Sequence, residues 1–76
     1  SGEKVYLYFF SPFCGSCELT QPLLKNSKHP LFEINCIENK ELEKAFDLEY
    51  YPTIVEVTNN NFRKFEGRIA IENLLS

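Results

Sequence analysis

From Lys4 to Phe10 the chain is almost continuously apolar, reading Lys-Val-Tyr-Leu-Tyr-Phe-Phe. Alternation is weak, as expected of a strand covered on both faces, and residues 4–10 are predicted to form the first strand. Ser11-Pro12 ends it. A helical pattern follows from Cys14 to about Ser27, with Leu19, Leu23 and Leu24 on one face at i, i+4 and i+5. Pro22 lies inside this stretch. Proline has no N–H to offer the Glu18 carbonyl, so a kink is expected one turn after Cys17. Ser27-Lys28-His29-Pro30 is a break.

Residues 31–37 predict a second strand. Phe32, Ile34 and Cys36 share one face and Glu33, Asn35 and Ile37 the other, which fits a less buried face or a sheet edge. Strand, helix and strand in this order predict a parallel pair with a right-handed crossover. Asn39 is placed to cap a second helix, with Glu41 in its first turn and Leu42, Ala45 and Phe46 as its apolar stripe; it should end near Leu48. The β-branched run 53–58, Thr-Ile-Val-Glu-Val-Thr, predicts a third strand. Asn59-Asn60-Asn61 tolerates positive φ and predicts a hairpin turn. In the partner strand, 62–66, Phe62 and Phe65 fall on opposite faces and imply either a bulge or burial on both sides. Gly67 breaks the chain, and Ile71, Leu74 and Leu75 predict a short last helix.

The element order is β-α-β-α-β-β-α. The expected fold class is α/β: one domain over residues 1–76, with a four-stranded mixed sheet and helices on both faces. Seven Phe and four Tyr in 76 residues imply that a few large side chains fill a small core. The net charge of −3 supplies no basic field for nucleic acid, and no apolar run approaches the length of a bilayer span. Nucleic-acid and membrane partners are therefore not expected. No signal peptide is visible, and Ser1-Gly2 has the composition of a cloning remnant. Three cysteines, an odd number, argue against a purely structural disulfide framework. A cytoplasmic setting and a monomer are the simplest expectations.

Cys14-Gly15-Ser16-Cys17 sits at the junction of the first strand and the first helix. A C-x-x-C there, inside a βαβ pattern, reads as a redox motif. A thiol at a helix start lies beside unpaired backbone N–H groups and the positive end of the helix dipole, and both favour the nucleophilic thiolate. The second cysteine is one turn on and able to close a disulfide with the first. Weaker alternatives are a structural disulfide and a Cys₃His zinc set with Cys36 and His29, which requires all four ligands to converge although His29 precedes a proline in a distant loop. No metal or cofactor is expected. Cys36 alternates with Phe32 and Ile34 and is expected to be a small buried core residue, a regulatory or resolving thiol being the sharper alternative.

Several features together resemble the thioredoxin family over nearly the whole chain. They are Phe9-Phe10, Cys14-Gly15-Ser16-Cys17, Pro22 five residues after the second cysteine, the segment Asn35 to Asn39, the Pro52-Thr53 pair, and Gly67 before the last helix. The chain resembles a minimal thioredoxin- or glutaredoxin-like member without the family's additional N-terminal strand and helix. Glutathione-binding glutaredoxins usually carry Val-Pro before the third strand and Gly-Gly-x-Asp at the last helix. Tyr51-Pro52 and Gly67-Arg68-Ile69-Ala70 stand there instead, so the thioredoxin side of the family is the better match. The resemblance implies that Cys14 and Cys17 are catalytic, that Pro52 is cis and packs beside them, and that Phe13, Tyr51, Pro52 and Thr53 form the substrate-binding surface. Tyr50 and Tyr51 either cap the core or line that surface.

Four positions depart from the family. Phe13 stands where tryptophan is usual, and Gly15-Ser16 where Gly-Pro is usual. Tyr8 occupies the place of a buried acid that accepts the proton of the second cysteine, and Glu33 that of its partner lysine. The remaining acceptors are Glu33 or water, and the sequence does not choose between them. The expected activity is thiol–disulfide exchange. Cys14 attacks a substrate disulfide, and Cys17 then displaces the reduced substrate and closes the Cys14–Cys17 bond. The expected partners are disulfide-containing proteins and a recycling reductase or glutathione. The rival readings are a non-catalytic adaptor docking through Phe13, Tyr50 and Tyr51, and a glutaredoxin-like electron donor dedicated to one enzyme.

Overall fold

A computed structural model describes residues 3–76, so the reading of Ser1-Gly2 lies outside the described residues. The elements are β1 (Val5–Phe10), α1 (Gly15–Thr20), a 3₁₀ segment (Gln21–Asn26), β2 (Leu31–Asn35), α2 (Lys40–Ala45), β3 (Thr53–Thr58), β4 (Asn61–Glu66) and α3 (Arg68–Leu75). The strands form one mixed sheet in the order β2-β1-β3-β4. β1 pairs in parallel with β2 and antiparallel with β3, and β3 pairs antiparallel with β4. This is a thioredoxin-like α/β architecture, and the two polar side chains of β2 belong to an edge strand.

Two apolar layers flank the sheet. On one side Tyr6, Tyr8, Leu24, Ile54, Ile71 and Leu75 are buried beneath α1, the 3₁₀ segment and α3. On the other, Phe9, Cys36 and Val55 are buried, with Phe46, Leu48 and Tyr51 packed against them. α2 itself buries no residue, so this second layer is closed mainly by the chain that follows it. Cys36 is therefore a core residue, while Phe32, on the same face of β2 but farther from this cluster, stays 57% exposed.

The local differences from the sequence reading have identifiable causes. Instead of one kinked helix, the chain makes six α-helical residues and then six 3₁₀ residues. Pro22 removes an i→i−4 donor at that point, and tighter i→i+3 bonding takes over. β2 stops at Asn35 because the Asn35 side chain accepts the Ile37 N–H at 2.9 Å, while its carbonyl accepts from Glu38 N and Asn39 Nδ2. Asn39 holds the cap position of α2, but its side chain is spent on that earlier bond rather than on the helix.

α2 ends at Ala45 rather than near Leu48. Leu48 N–H bonds the Glu43 carbonyl and Asp47 N–H the Lys44 carbonyl, closing a Schellman turn around Asp47 at φ 53. The β3–β4 turn uses only Asn59 and Asn60, since Asn61 already pairs with Thr58. Among the described residues Asp47 is the one non-glycine with positive φ, so this turn does not use the conformation its asparagines tolerate. The β3–β4 register is unbroken, so there is no bulge, and the two rings lie on opposite faces with Phe65 partly buried and Phe62 still 50% exposed. Phe62 stands edge-on to Phe46 at 5.2 Å, and Phe65 packs against the opposite layer.

Candidate active site

Antiparallel pairing places the end of β1 and the start of β3 at the same end of the sheet, with Phe9 opposite Thr53. The Ser11–Cys14 turn and the Tyr50–Pro52 segment therefore emerge side by side. Cys36 N–H reaches the Phe10 carbonyl at 2.9 Å, bringing the end of β2 to the same edge. Gly67 N–H bonds the Pro52 carbonyl at 2.9 Å and fixes the start of α3 there too. At φ 90 and ψ 164, Gly67 occupies a backbone region open essentially to glycine alone. The Tyr51–Pro52 peptide bond is cis.

Cys14 is the N-cap residue of α1, half-buried and extended at φ −100 and ψ 112. Its N–H bonds the Ser11 carbonyl at 3.1 Å, and its carbonyl accepts the Cys17 N–H at 3.2 Å. Cys17, one turn on, is only 5% exposed. Both are free thiols. Burial first, and then the neighbouring Cys14 side chain, push the Cys17 thiol up to about 11, opposed by bonds from the Ser11 backbone and from Tyr8. The two sulfurs are thus unequal: one is accessible at the helix start, the other sits beneath it and is reluctant to ionise. A shallow cleft of about 150 Å³ runs past both, lined by Phe10, Ser11, Pro12, Glu18 and Gln21.

The remaining sequence-predicted residues divide. Phe13 is 86% exposed beside Cys14, and Tyr50 is 57% exposed in the neighbouring loop. Tyr51 turns the other way, into the Phe9–Cys36–Val55 layer, where burial and then a hydrogen bond to Glu43 raise its phenol. Of the two readings of the tyrosine pair, Tyr50 therefore fits the surface and Tyr51 the core. Pro52 is buried. Thr53, expected on the substrate surface, is instead fully buried, and its hydroxyl donates to the Tyr50 carbonyl at 2.7 Å. Its side chain anchors the loop and is out of reach of a bound partner.

Glu33 is exposed and accepts a bond from Gln21 Nε2 at 2.6 Å. Cys36 lies in the opposite core layer from α1, and His29 packs edge-on against Tyr6 at 5.3 Å. Among the described residues no three of His, Cys, Asp and Glu converge as metal ligands, so the zinc alternative has no geometric basis.

One element of the site went unread in the sequence. Thr20, fully buried, donates to the Cys17 carbonyl at 3.1 Å and shares a 2.5 Å hydrogen bond with the Tyr8 hydroxyl. The available signal was its spacing: three residues after Cys17, on the helix face that turns toward the sheet.

This fold, with a C-x-x-C at the first strand–helix junction and a cis-proline loop beside it, defines a thioredoxin-type site. The thioredoxin family model matches residues 1–76, and the chain belongs to the thioredoxin family. It is 27% identical over 85 residues to protein disulfide isomerase-like 1-1 of Arabidopsis thaliana, an alignment covering 100% of this chain but 17% of that protein. Among solved structures, it resembles reduced thioredoxin pre-protein of Schistosoma mansoni with a TM-score of 0.84 at 19% identity, over 96% of this chain and 76% of that one. Mitochondrial thioredoxin 3 of Saccharomyces cerevisiae superposes with a TM-score of 0.82 at 20% identity, over 99% and 78%. At these identities the two structures establish the fold.

Proposed function

We propose that this protein is a thiol–disulfide oxidoreductase acting on disulfide-bonded protein substrates. The observation that carries the reading is the inequality of the two cysteines: an accessible Cys14 at the helix start and a buried Cys17 one turn behind it. Cys14 thiolate attacks a substrate disulfide, forming a mixed disulfide and releasing one substrate sulfur as thiolate. Cys17 then attacks the Cys14 sulfur, closes the intramolecular disulfide and releases the second substrate sulfur. Two electrons pass to the substrate, and a recycling thiol reductant restores the dithiol. Cysteine supplies the chemistry, so the reaction calls for no cofactor. Phe13, Tyr50 and the backbone beside Pro52 are the surface to which an extended substrate segment adds.

The exposed pair Phe13 and Tyr50 favours the adaptor reading as the rival, because large exposed aromatics at one edge also suit a docking surface. One experiment separates the two. Cys17→Ser retains the attacking thiol but not the resolving one, so it should accumulate protein adducts that vanish on adding dithiothreitol. Non-reducing electrophoresis after exposure to disulfide-bonded insulin reads this, with the Cys14→Ser/Cys17→Ser double variant as control. If Cys17→Ser traps nothing beyond the control, the exchange mechanism is wrong and the adaptor reading takes its place.

A further inference from the structure

The shallow cleft beside the two sulfurs differs in character from the aromatic side of Cys14. Its walls are Phe10, Ser11, Pro12, Glu18 and Gln21, not Phe13, Tyr50 or Pro52. At about 150 Å³ it is smaller than the roughly 300–1,000 Å³ of a pocket that encloses a ligand. It suits instead the end of one side chain, reaching past the sulfurs from a substrate held at Cys14. What that side chain meets is a carboxylate. Glu18 follows Cys14 by four residues, so the two share one face of the helix start, and no lysine or arginine is among the walls.

Nothing nearby neutralises that charge. Among the described residues the acids in ion pairs are Glu56 and Glu72, and Arg68, next to Gly67, is held by Glu72 at 2.9 Å. Glu18 and Glu33 form no such pair. Gln21 Nε2 donates to Glu33 at 2.6 Å, which ties a second negative charge just outside the cleft. An acid in the first turn of α1 also complements the helix dipole. The dipole accounts for an acid in this turn; it does not set which substrates the acid then faces.

We propose that Glu18 is a specificity-determining residue: it selects disulfides that carry a cationic group, such as a lysine or arginine beside the half-cystine, and disfavours anionic ones. This rests on the oxidoreductase reading. In the step concerned, the Cys14 thiolate attacks one substrate sulfur, the substrate S–S bond breaks, and the other sulfur leaves as thiolate with the electron pair. Glu18 makes and breaks no bond; its charge raises or lowers the local concentration of the disulfide. With unit charges about 7 Å apart in mostly aqueous surroundings, the effect on rate is about two- to threefold for each sign of substrate.

Three small disulfides probe this: cystamine, with an ammonium on each half; hydroxyethyl disulfide, uncharged; and dithiodiglycolate, with a carboxylate on each half. Reduced protein is mixed with an excess of each at pH 7 and low salt, and samples are trapped with N-ethylmaleimide in denaturant. Unreacted dithiol takes a label at each of Cys14, Cys17 and Cys36, so loss of the fully labelled mass gives the rate of attack. The readout is the cystamine-to-dithiodiglycolate rate ratio of each variant relative to the unsubstituted protein, with hydroxyethyl disulfide apportioning the change between the two signs. Leaving-group chemistry cancels between proteins, and Cys14 ionisation cancels between disulfides. Glu18→Gln should lower the ratio about four- to tenfold, and Glu18→Lys should lower it by about that factor again. In 1 M NaCl, where the screening length is about 3 Å, most of the difference should disappear.

A ratio unchanged in both variants overturns the proposal. So does an equal shift in Glu18→Gln and Glu18→Lys, because shape rather than charge is then responsible. A larger shift in Glu33→Gln than in Glu18→Gln overturns it as well, since the selecting charge then lies outside the cleft. Glu18 is exposed and unpaired, so thermal melts of its variants should match the unsubstituted protein. If the unsubstituted protein reacts with none of the three disulfides faster than free cysteine does, the oxidoreductase reading itself fails, and this inference with it. Fast reaction with unaltered ratios leaves that reading standing and removes only the role of Glu18.

Discussion

The inequality of the two thiols can be tested before any substrate is known. Reduced protein is treated at pH 7 with less than one equivalent of iodoacetamide. Alkylation proceeds through thiolate, so the ionised fraction sets the rate. An ordinary thiol at 9.0 is about 1% ionised at pH 7, and Cys17 at about 11 is about 0.01% ionised. The more basic thiolate is intrinsically more reactive, which returns a factor of about 6–10. Cys17 is then about tenfold slower than an ordinary thiol before its burial is counted. Cys36 is also raised, by burial first, and is 2% exposed. Cys14, half-buried at the helix start, should take nearly all the label. Cys14 and Cys17 fall in one tryptic peptide between Lys4 and Lys25, so fragmentation spectra must locate the adduct. Cys17 labelling should rise about tenfold per pH unit toward pH 11. Labelling of Cys17 as fast as Cys14 at pH 7 would refute the assignment of attacking and resolving thiols.

Cys36→Ala should keep insulin reduction at the unsubstituted rate and cost about 1 kcal/mol in urea unfolding, as a small apolar group lost from a core layer. Loss of turnover with the fold intact would mean that Cys36 resolves or regulates. Gly67→Ala meets no atom within 4 Å, so its cost is backbone conformation alone, about 1–3 kcal/mol by the same assay. An unchanged midpoint would show that this corner relaxes freely. The reduced protein should lose stability in alkali. Cys17, raised to about 11, and Tyr8, raised to about 12, hold their protons more tightly folded than unfolded. Their contribution is complete below about pH 8.5 and is lost as pH rises through 11 and then 12. Urea midpoints between pH 8 and 11 should therefore fall in the dithiol and fall less in Cys17→Ser. A flat profile would contradict the burial of the Cys17 proton.

What the sequence determined by itself is the part set by neighbours along the chain. The apolar run before Cys14, the C-x-x-C, Pro22 and the β-branched run after Pro52 each act within a few residues, and they fixed element order and the place of the motif. Periodicity also put Cys36 inside. It could not say how well a face is covered: Phe32 in β2 and Cys36 just past its end lie on the same side of the sheet, yet one is 57% exposed and the other 2%, because only the site end lies beneath the segment after α2. Tertiary packing decided the rest. Tyr50 faces out and Tyr51 in because the loop before β3 is pinned by the Thr53 hydroxyl and by Gly67, contacts made across the fold. The Tyr8–Thr20 pair behind Cys17 joins residues twelve positions apart, from a strand and a helix that meet only when the α1 side packs onto the sheet. The C-x-x-C was legible because two cysteines at helical spacing are a local signal. The hydroxyl pair bonded to the Cys17 carbonyl was not, because it depends on which side chains the packed layers bring together.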